Sequence, residues 1–242
     1  MKAISPTIVL LFLSFLTFGQ DALNEGNRIL GGGMTFNHRE AEKDSPYNLI
    51  SNIYNDEQTN KFFSFSPYYG RLYKDDVMVG LRLNIATRNN LNIDEDEFDI
   101  RRNEFKSNSI GVGGFLRRYY RSNDNFGLFL ESGIDFTRYT SKSESTRTIF
   151  DDSQGDRHEV FGEESNEVSV DARVGLYYFL FSKLSIETNL LRVSVSYRHQ
   201  NFERRDIRND EFTKGEGNVS TAGLNLVNQF TFDKIFTLNY YF

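Results

Sequence analysis

Across residues 77–87 the chain alternates without a break. Val77, Val79, Leu81, Leu83 and Ile85 fall on one parity; Met78, Gly80, Arg82, Asn84 and Ala86 fall on the other. A repeat of two belongs to a β-strand, because successive side chains of a strand point to opposite faces. One face of this strand is wholly apolar and the other carries a charge. The pattern returns over residues 126–139, where Phe126, Leu128, Leu130, Ile134 and Phe136 are in phase. It returns again in FTLNYYF, residues 236–242, where Phe236, Leu238, Tyr240 and Phe242 share one parity. The chain therefore reads as all-β, and the open question is which face lies inside.

Eight strands follow from the pattern: residues 28–37, 61–73, 77–87, 109–120, 126–139, 168–181, 184–199 and a last one ending at Phe242. In the seventh, Leu184, Ile186 and Leu190 take one parity while Leu191, Val193, Val195 and Tyr197 take the other, so a β-bulge is expected near Leu190 and Leu191. The eighth has an in-phase run reaching back through Phe232, Phe230, Leu226 and Leu224, longer than a membrane crossing of about 9–11 residues requires. It is read as projecting beyond the membrane beside the seventh strand rather than turning at Asp233-Lys234 into a ninth. The connections sort by length. Those around residues 74–76, 123–125 and 182–183 are tight turns, whereas residues 38–60, 88–108, 140–167 and 200–218 are long and polar. Short and long connections alternate, as they do when short turns sit on the periplasmic side of a membrane barrel and long loops on the outside.

Aromatic residues crowd at the short-turn end: Tyr68, Tyr69 and Tyr73, then Tyr119, Tyr120 and Phe126, then Tyr177, Tyr178, Phe179 and Phe181, then Tyr240, Tyr241 and Phe242. From these, Tyr69, Tyr73, Tyr120, Phe126 and Tyr178 are assigned to a girdle at the periplasmic interface. Composition agrees. Hydrophobic content is 38% and mean hydropathy −0.52, yet aromatics reach 15%. Only alternate residues of a barrel strand face lipid, which keeps the average polar. At the start, residues 8–18 (IVLLFLSFLTF) are too few to span a bilayer and suit a signal peptide, so residues 1–19 are read as a leader and residues 20–242 as an exported barrel domain. A net charge of −6 argues against a nucleic-acid partner, and the absence of cysteine excludes disulfides and thiolate chemistry.

The terminal Phe242, the Tyr240-Tyr241 pair and the eight-strand count resemble the small outer-membrane β-barrels of the OmpA/OmpX type, and more narrowly the PorT-like barrels of Bacteroidota. The resemblance covers the whole exported chain. It implies an eight-stranded antiparallel up-and-down transmembrane barrel in the outer membrane of a Gram-negative bacterium. It also implies that Tyr240 and Phe242 form the C-terminal signal read by the barrel-assembly machinery.

If Leu81 faces lipid, Arg82 faces the lumen, and the same parity points Glu131, Asp135, Asp171, Arg173, Glu187 and, past the bulge, Arg192 inward. An eight-stranded barrel is just wide enough for side chains to fill it, so these groups are expected to pair into a plug rather than line a pore. A non-enzymatic role follows, structural or in recognition by the loops. The alternatives are a small channel or secretion-linked barrel, and a barrel enzyme acting on lipid or peptide. Chemistry would need a base: His38 and His199 lie at external strand ends, His199 near Ser194 and Ser196, with no motif joining them. The acidic runs at residues 94–99 and 151–156 lack an EF-hand pattern and are interleaved with arginines such as Arg101, Arg102 and Arg157, so they read as solvated loops and no metal or cofactor is expected. The partners expected are outer-membrane lipid, lipopolysaccharide reached through Arg204, Arg205 and Arg208, and a protein at the external loops.

Overall fold

The computed structural model describes residues 20–41, 55–95, 99–149, 157–206, 211–226 and 237–242. The proposed leader, the acidic run 151–156, Arg208 and the Asp233-Lys234 pair lie outside these. The described chain opens with a short 3-10 turn, Gln20–Leu23, and is otherwise strand: β1 (Arg28–Ala41), β2 (Asn55–Lys74), β3 (Val77–Glu95), β4 (Asp99–Arg121), β5 (Phe126–Ile149), β6 (Arg157–Phe181), β7 (Leu184–Asp206), β8 (Glu211–Leu226) and β9 (Thr237–Tyr241). Each strand pairs antiparallel with the next from β1 to β8, and the ring closes where β9 pairs with both β7 and β1. The architecture is an antiparallel up-and-down β-barrel.

β8 and β9 both run antiparallel to β7, with Leu191 opposite Leu226 and Glu187 opposite Thr237. They share one direction along β7, and both described ends meet at one rim. There Arg28 and Phe242 exchange backbone hydrogen bonds, each 2.9 Å. The bulge lies where the parity break asks for it. Val174 pairs with Leu191 and Gly175 with Asn189, leaving Leu190 without a partner on β6.

The strands are longer than the sequence pattern suggested. β4, β5, β6 and β7 run to 23, 24, 25 and 23 residues, about twice what a bilayer crossing uses. Most of what reads as polar loop is therefore ladder: β5 and β6 stay in register up to Arg147 opposite Arg157. Polar residues on both faces erase the alternation that marks a half-buried strand, while the backbone goes on pairing.

The faces are sorted. Outward stand Leu30, Met34, Phe36, Leu81, Val112, Ile134, Phe136, Val170 and Val195, all exposed; Leu81 is 70% exposed and its neighbour Arg82 only 8%. The apolar belt is outside and the charges are inside, the reverse of a soluble protein and the arrangement a bilayer requires. At the short-turn end each tyrosine doublet splits. Tyr68, Tyr119, Tyr177 and Tyr241 point inward and are buried, while Tyr69, Tyr120, Tyr178 and Tyr240 point outward at 40–49% exposure. The inward set packs with Leu72, Met78, Phe129 and Phe179, and Ala22 and Leu23 close the cluster from below. The 3-10 turn is fastened there by the Asp76 amide donating to the Leu23 carbonyl at 3.0 Å and the Gly26 amide donating to the Leu72 carbonyl at 2.8 Å.

Candidate functional site: a charged network across the lumen

The inward parity of five successive strands brings eight charged side chains to one level. β3 supplies Arg82, β4 Arg117, β5 Glu131 and Asp135, β6 Asp171 and Arg173, and β7 Glu187 and Arg192. Arg82 donates through Nε and Nη2 to both oxygens of Asp135, at 2.7 and 2.6 Å. It reaches Glu131 at 2.6 Å and, across the lumen, Asp171 at 2.5 Å. Arg117 donates to Glu131 at 2.8 and 2.5 Å and to Glu187 at 2.5 Å. Arg173 reaches Asp171 at 2.7 Å and Glu131 at 3.2 Å. Every carboxylate is buried, from 1% exposure for Glu131 and Asp171 to 5% for Asp135. Charges taken this far from water hold only when paired and hydrogen-bonded.

Aromatic rings and polar tips carry the network down to the barrel floor. The Arg117 guanidinium lies 4.6 Å from the Phe129 ring centroid and 5.1 Å from that of Tyr68, distances that suit cation–π attraction. The Tyr119 hydroxyl donates to Glu187 at 3.2 Å, and the Tyr68 hydroxyl donates to Asn239 at 2.6 Å. Asn239 donates in turn to Ser185 at 3.2 Å, and Ser185 shares a 3.1 Å hydrogen bond with Tyr241. The last strand is thus tied into the lumen through Asn239 and Tyr241, the parity opposite to Tyr240 and Phe242.

Glycines make the room. A side chain at Gly113 would collide with Asp135, one at Gly133 with Arg82, and one at Gly175 with the Phe129 ring and the Thr188 carbonyl. Asp135 and Phe129 thus lie over glycines on adjacent strands and Arg82 over one two strands away, which helps a barrel this narrow contain arginines and phenylalanines together.

All seven lumen residues expected from parity, Arg82, Glu131, Asp135, Asp171, Arg173, Glu187 and Arg192, meet in this network, although Arg192 stands at its edge with a side chain 43% exposed. Sequence reasoning missed Arg117, and with it Tyr68, Tyr119 and Asn239. The signal was present: Val112, Leu116 and Tyr120 set the outward parity of β4, which turns Arg117 inward, but glycines at 111, 113 and 114 blur that alternation. Of the girdle residues, Tyr69, Tyr73, Tyr120 and Tyr178 face outward near the short turns, and Phe126 is half-buried. Tyr240 and Phe242 also face outward, with ring centroids 6.2 Å apart.

The other candidates stand apart from the network. His38 contacts Glu40 at 2.9 Å, and His199 contacts Asn218 at 2.9 Å, each at the far end of the barrel. Among the described residues no three His, Asp or Glu side chains gather to hold a metal ion. Asp94 and Glu95 end β3 and Asp99 begins β4, while residues 96–98 of that acidic run lie outside the described ones. Arg204 pairs with Glu159 at 2.8 Å on the external extension. Also outside the membrane-crossing part, Lys142 beside Glu144 holds that carboxyl below the usual carboxylate range.

No protein-family model matches the chain, and no curated protein matches it. Solved structures do. The ferric citrate transporter FecA in its unliganded form is 10% identical with a TM-score of 0.45, the match covering 84% of this chain and 32% of that one. The ferric yersiniabactin uptake receptor FyuA from Yersinia pestis is 12% identical with a TM-score of 0.48, covering 81% and 31%. The outer membrane protein OprG from Pseudomonas aeruginosa is 10% identical with a TM-score of 0.48, covering 92% and 98%. The chain spans about a third of the length of the first two.

Proposed function

We propose that the protein is an integral outer-membrane β-barrel with a lumen plugged by its own side chains, serving a structural role or recognition by its external hairpins rather than catalysis or conduction. One observation carries the reading: an outward apolar belt encloses an inward network of four arginines and four carboxylates. Arg or Lys placed on the lipid face at mid-membrane costs about 2–4 kcal/mol, so the charges belong inside and the belt belongs in lipid. The hairpins that continue above the belt carry paired charges, Arg138 with Glu164 and Lys214 with Glu203, on surfaces suited to polar partners. In this reading the belt meets outer-membrane lipid, the charged hairpins meet lipopolysaccharide or a protein, and Tyr240 and Phe242 are what the assembly machinery reads.

The test is electrophoresis in SDS of an outer-membrane fraction from cells carrying the protein, boiled against unboiled. A folded barrel keeps its compact form in cold SDS and changes mobility on boiling. A single band in both lanes, or recovery of the protein in the soluble periplasm, would overturn the reading.

A further inference from the structure

The network formally balances four arginines against four carboxylates, but their donors are used unevenly. Arg82 and Arg117 spend all three guanidinium nitrogens on partners. Arg173 uses Nε and Nη2 and leaves Nη1 without a protein partner among the described residues. Among the described residues Arg192 approaches only Asp171, its Nε 3.4 Å from Oδ2, and that Nε makes no hydrogen bond. Asp171 is already taken by Arg82 at 2.5 Å and Arg173 at 2.7 Å. Three guanidinium groups thus share one carboxylate, and among the described residues the outermost has the weakest hold on it.

Arg192 and Arg173 face a cavity of about 390 Å³ over the network, within the range of small-molecule sites. Its walls carry short hydroxyls, among them Ser66, Ser109, Thr137 and Ser169. Four carboxylates also line it: Glu131, Asp135 and Glu187, each held by Arg82 or Arg117, and Glu167, held by Arg198 at 2.8 Å. Beneath lies the aromatic cluster, so the cavity is blind at that end.

We infer that this cavity binds a small oxyanion, a carboxylate or phosphate group, through the guanidinium of Arg192 with Arg173 beside it. A guanidinium presents two parallel N–H donors to the two oxygens of a carboxylate or phosphate group. The hydroxyl walls would hydrate or bond the remainder of the ligand. The inference rests on the plugged-barrel reading, because a blind cup holds a ligand whereas a pore passes it on.

The experiment is isothermal titration calorimetry of the folded full-length barrel in zwitterionic detergent. Inorganic phosphate and succinate are titrated separately, with ionic strength held constant by chloride. Saturable binding of at least one probe is expected, weakened tenfold or more by Arg192→Gln and unchanged by Arg118→Gln on the outward face of β4. Arg192→Lys keeps the charge and loses the fork, and should weaken binding severalfold, which serves if the glutamine variant does not fold. Preference for phosphate assigns a phosphoryl ligand; preference for succinate assigns a carboxylate. Absence of saturable binding by either probe, or wild-type affinity in a folded Arg192 variant, overturns the inference. Loss of the heat-dependent mobility shift in the unmutated protein would instead overturn the barrel reading beneath it.

Discussion

Arg117 is where the most interactions converge: two carboxylates, two tyrosine hydroxyls and the faces of several aromatic rings. Replacing it by Met removes the arginine paired with Glu187 and one of those paired with Glu131, both buried carboxylates. Breaking a buried pair on one side costs about 3–5 kcal/mol, so Arg117→Met should lower the urea midpoint of unfolding, followed by circular dichroism, by that equivalent. A midpoint within error of the parent would mean the network contributes nothing to the fold. Gly175→Ala makes a separate demand, since its Cβ would meet both the Phe129 ring and a backbone oxygen that cannot rotate away. Overpacking of this kind costs about 1–3 kcal/mol, and the companion Phe129→Leu should recover part of it on the same assay. The seven expected lumen charges were legible because a charge opposite a lipid-facing Leu or Val can only point inward. Arg117 was not, because Arg118 puts the same charge on the outward parity and its inward neighbours Phe115 and Tyr119 are as apolar as the outward Leu116 and Tyr120.

The elements were legible where alternation is strong and not where it fades. β3 could be placed from Val77 onward because one parity is wholly apolar while the other carries Arg82 and Asn84. Its upper half, through Asn89, Asn90 and Asn92 to Glu95, has polar residues on both parities, with Leu91 and Ile93 the exceptions, and reads as loop. Only the antiparallel register, Leu91 opposite Glu104 and Ile93 opposite Arg102, identifies it as strand. The β7 bulge was legible because a parity change inside one strand has no other local cause. That bulge has a testable consequence. With Leu190 present, Glu187 and Arg192 both face the lumen although their spacing is odd. Deleting Leu190 makes that spacing even, so both halves of the strand keep their facing without a bulge, whereas deleting Ser194 leaves the bulge in place and turns the outward Val195 and Tyr197 to the lumen. The Leu190 deletion should retain the heat-dependent mobility shift, and the Ser194 deletion should abolish it. A Leu190 deletion variant that no longer shifts would mean that the bulge itself is needed for the barrel.

At the scale of the whole molecule, two barriers lie in series along the lumen. The upper is the charged layer, in which Arg82 joins β3 to β6 and Arg117 joins β4 to β7, so ion pairs cross the lumen rather than merely line it. The lower is the aromatic cluster, sealed by Ala22 and Leu23. The sequence implied the upper barrier by parity. The lower was half hidden, because Tyr-Tyr doublets look like an interfacial girdle until strand alternation sends one ring of each pair inward. Series barriers make a specific prediction for planar-bilayer recording. The intact protein should give no stable conductance steps. Phe129→Ala, which thins the lower barrier alone, should give none either, because the charged layer remains across the path. Conduction should need both layers opened, as in Phe129→Ala combined with Arg82→Ala and Asp171→Ala, provided that the variant still shows the mobility shift of a folded barrel. Reproducible steps from the intact protein would show that the network moves aside under voltage, and the plug would then be the gate of a channel.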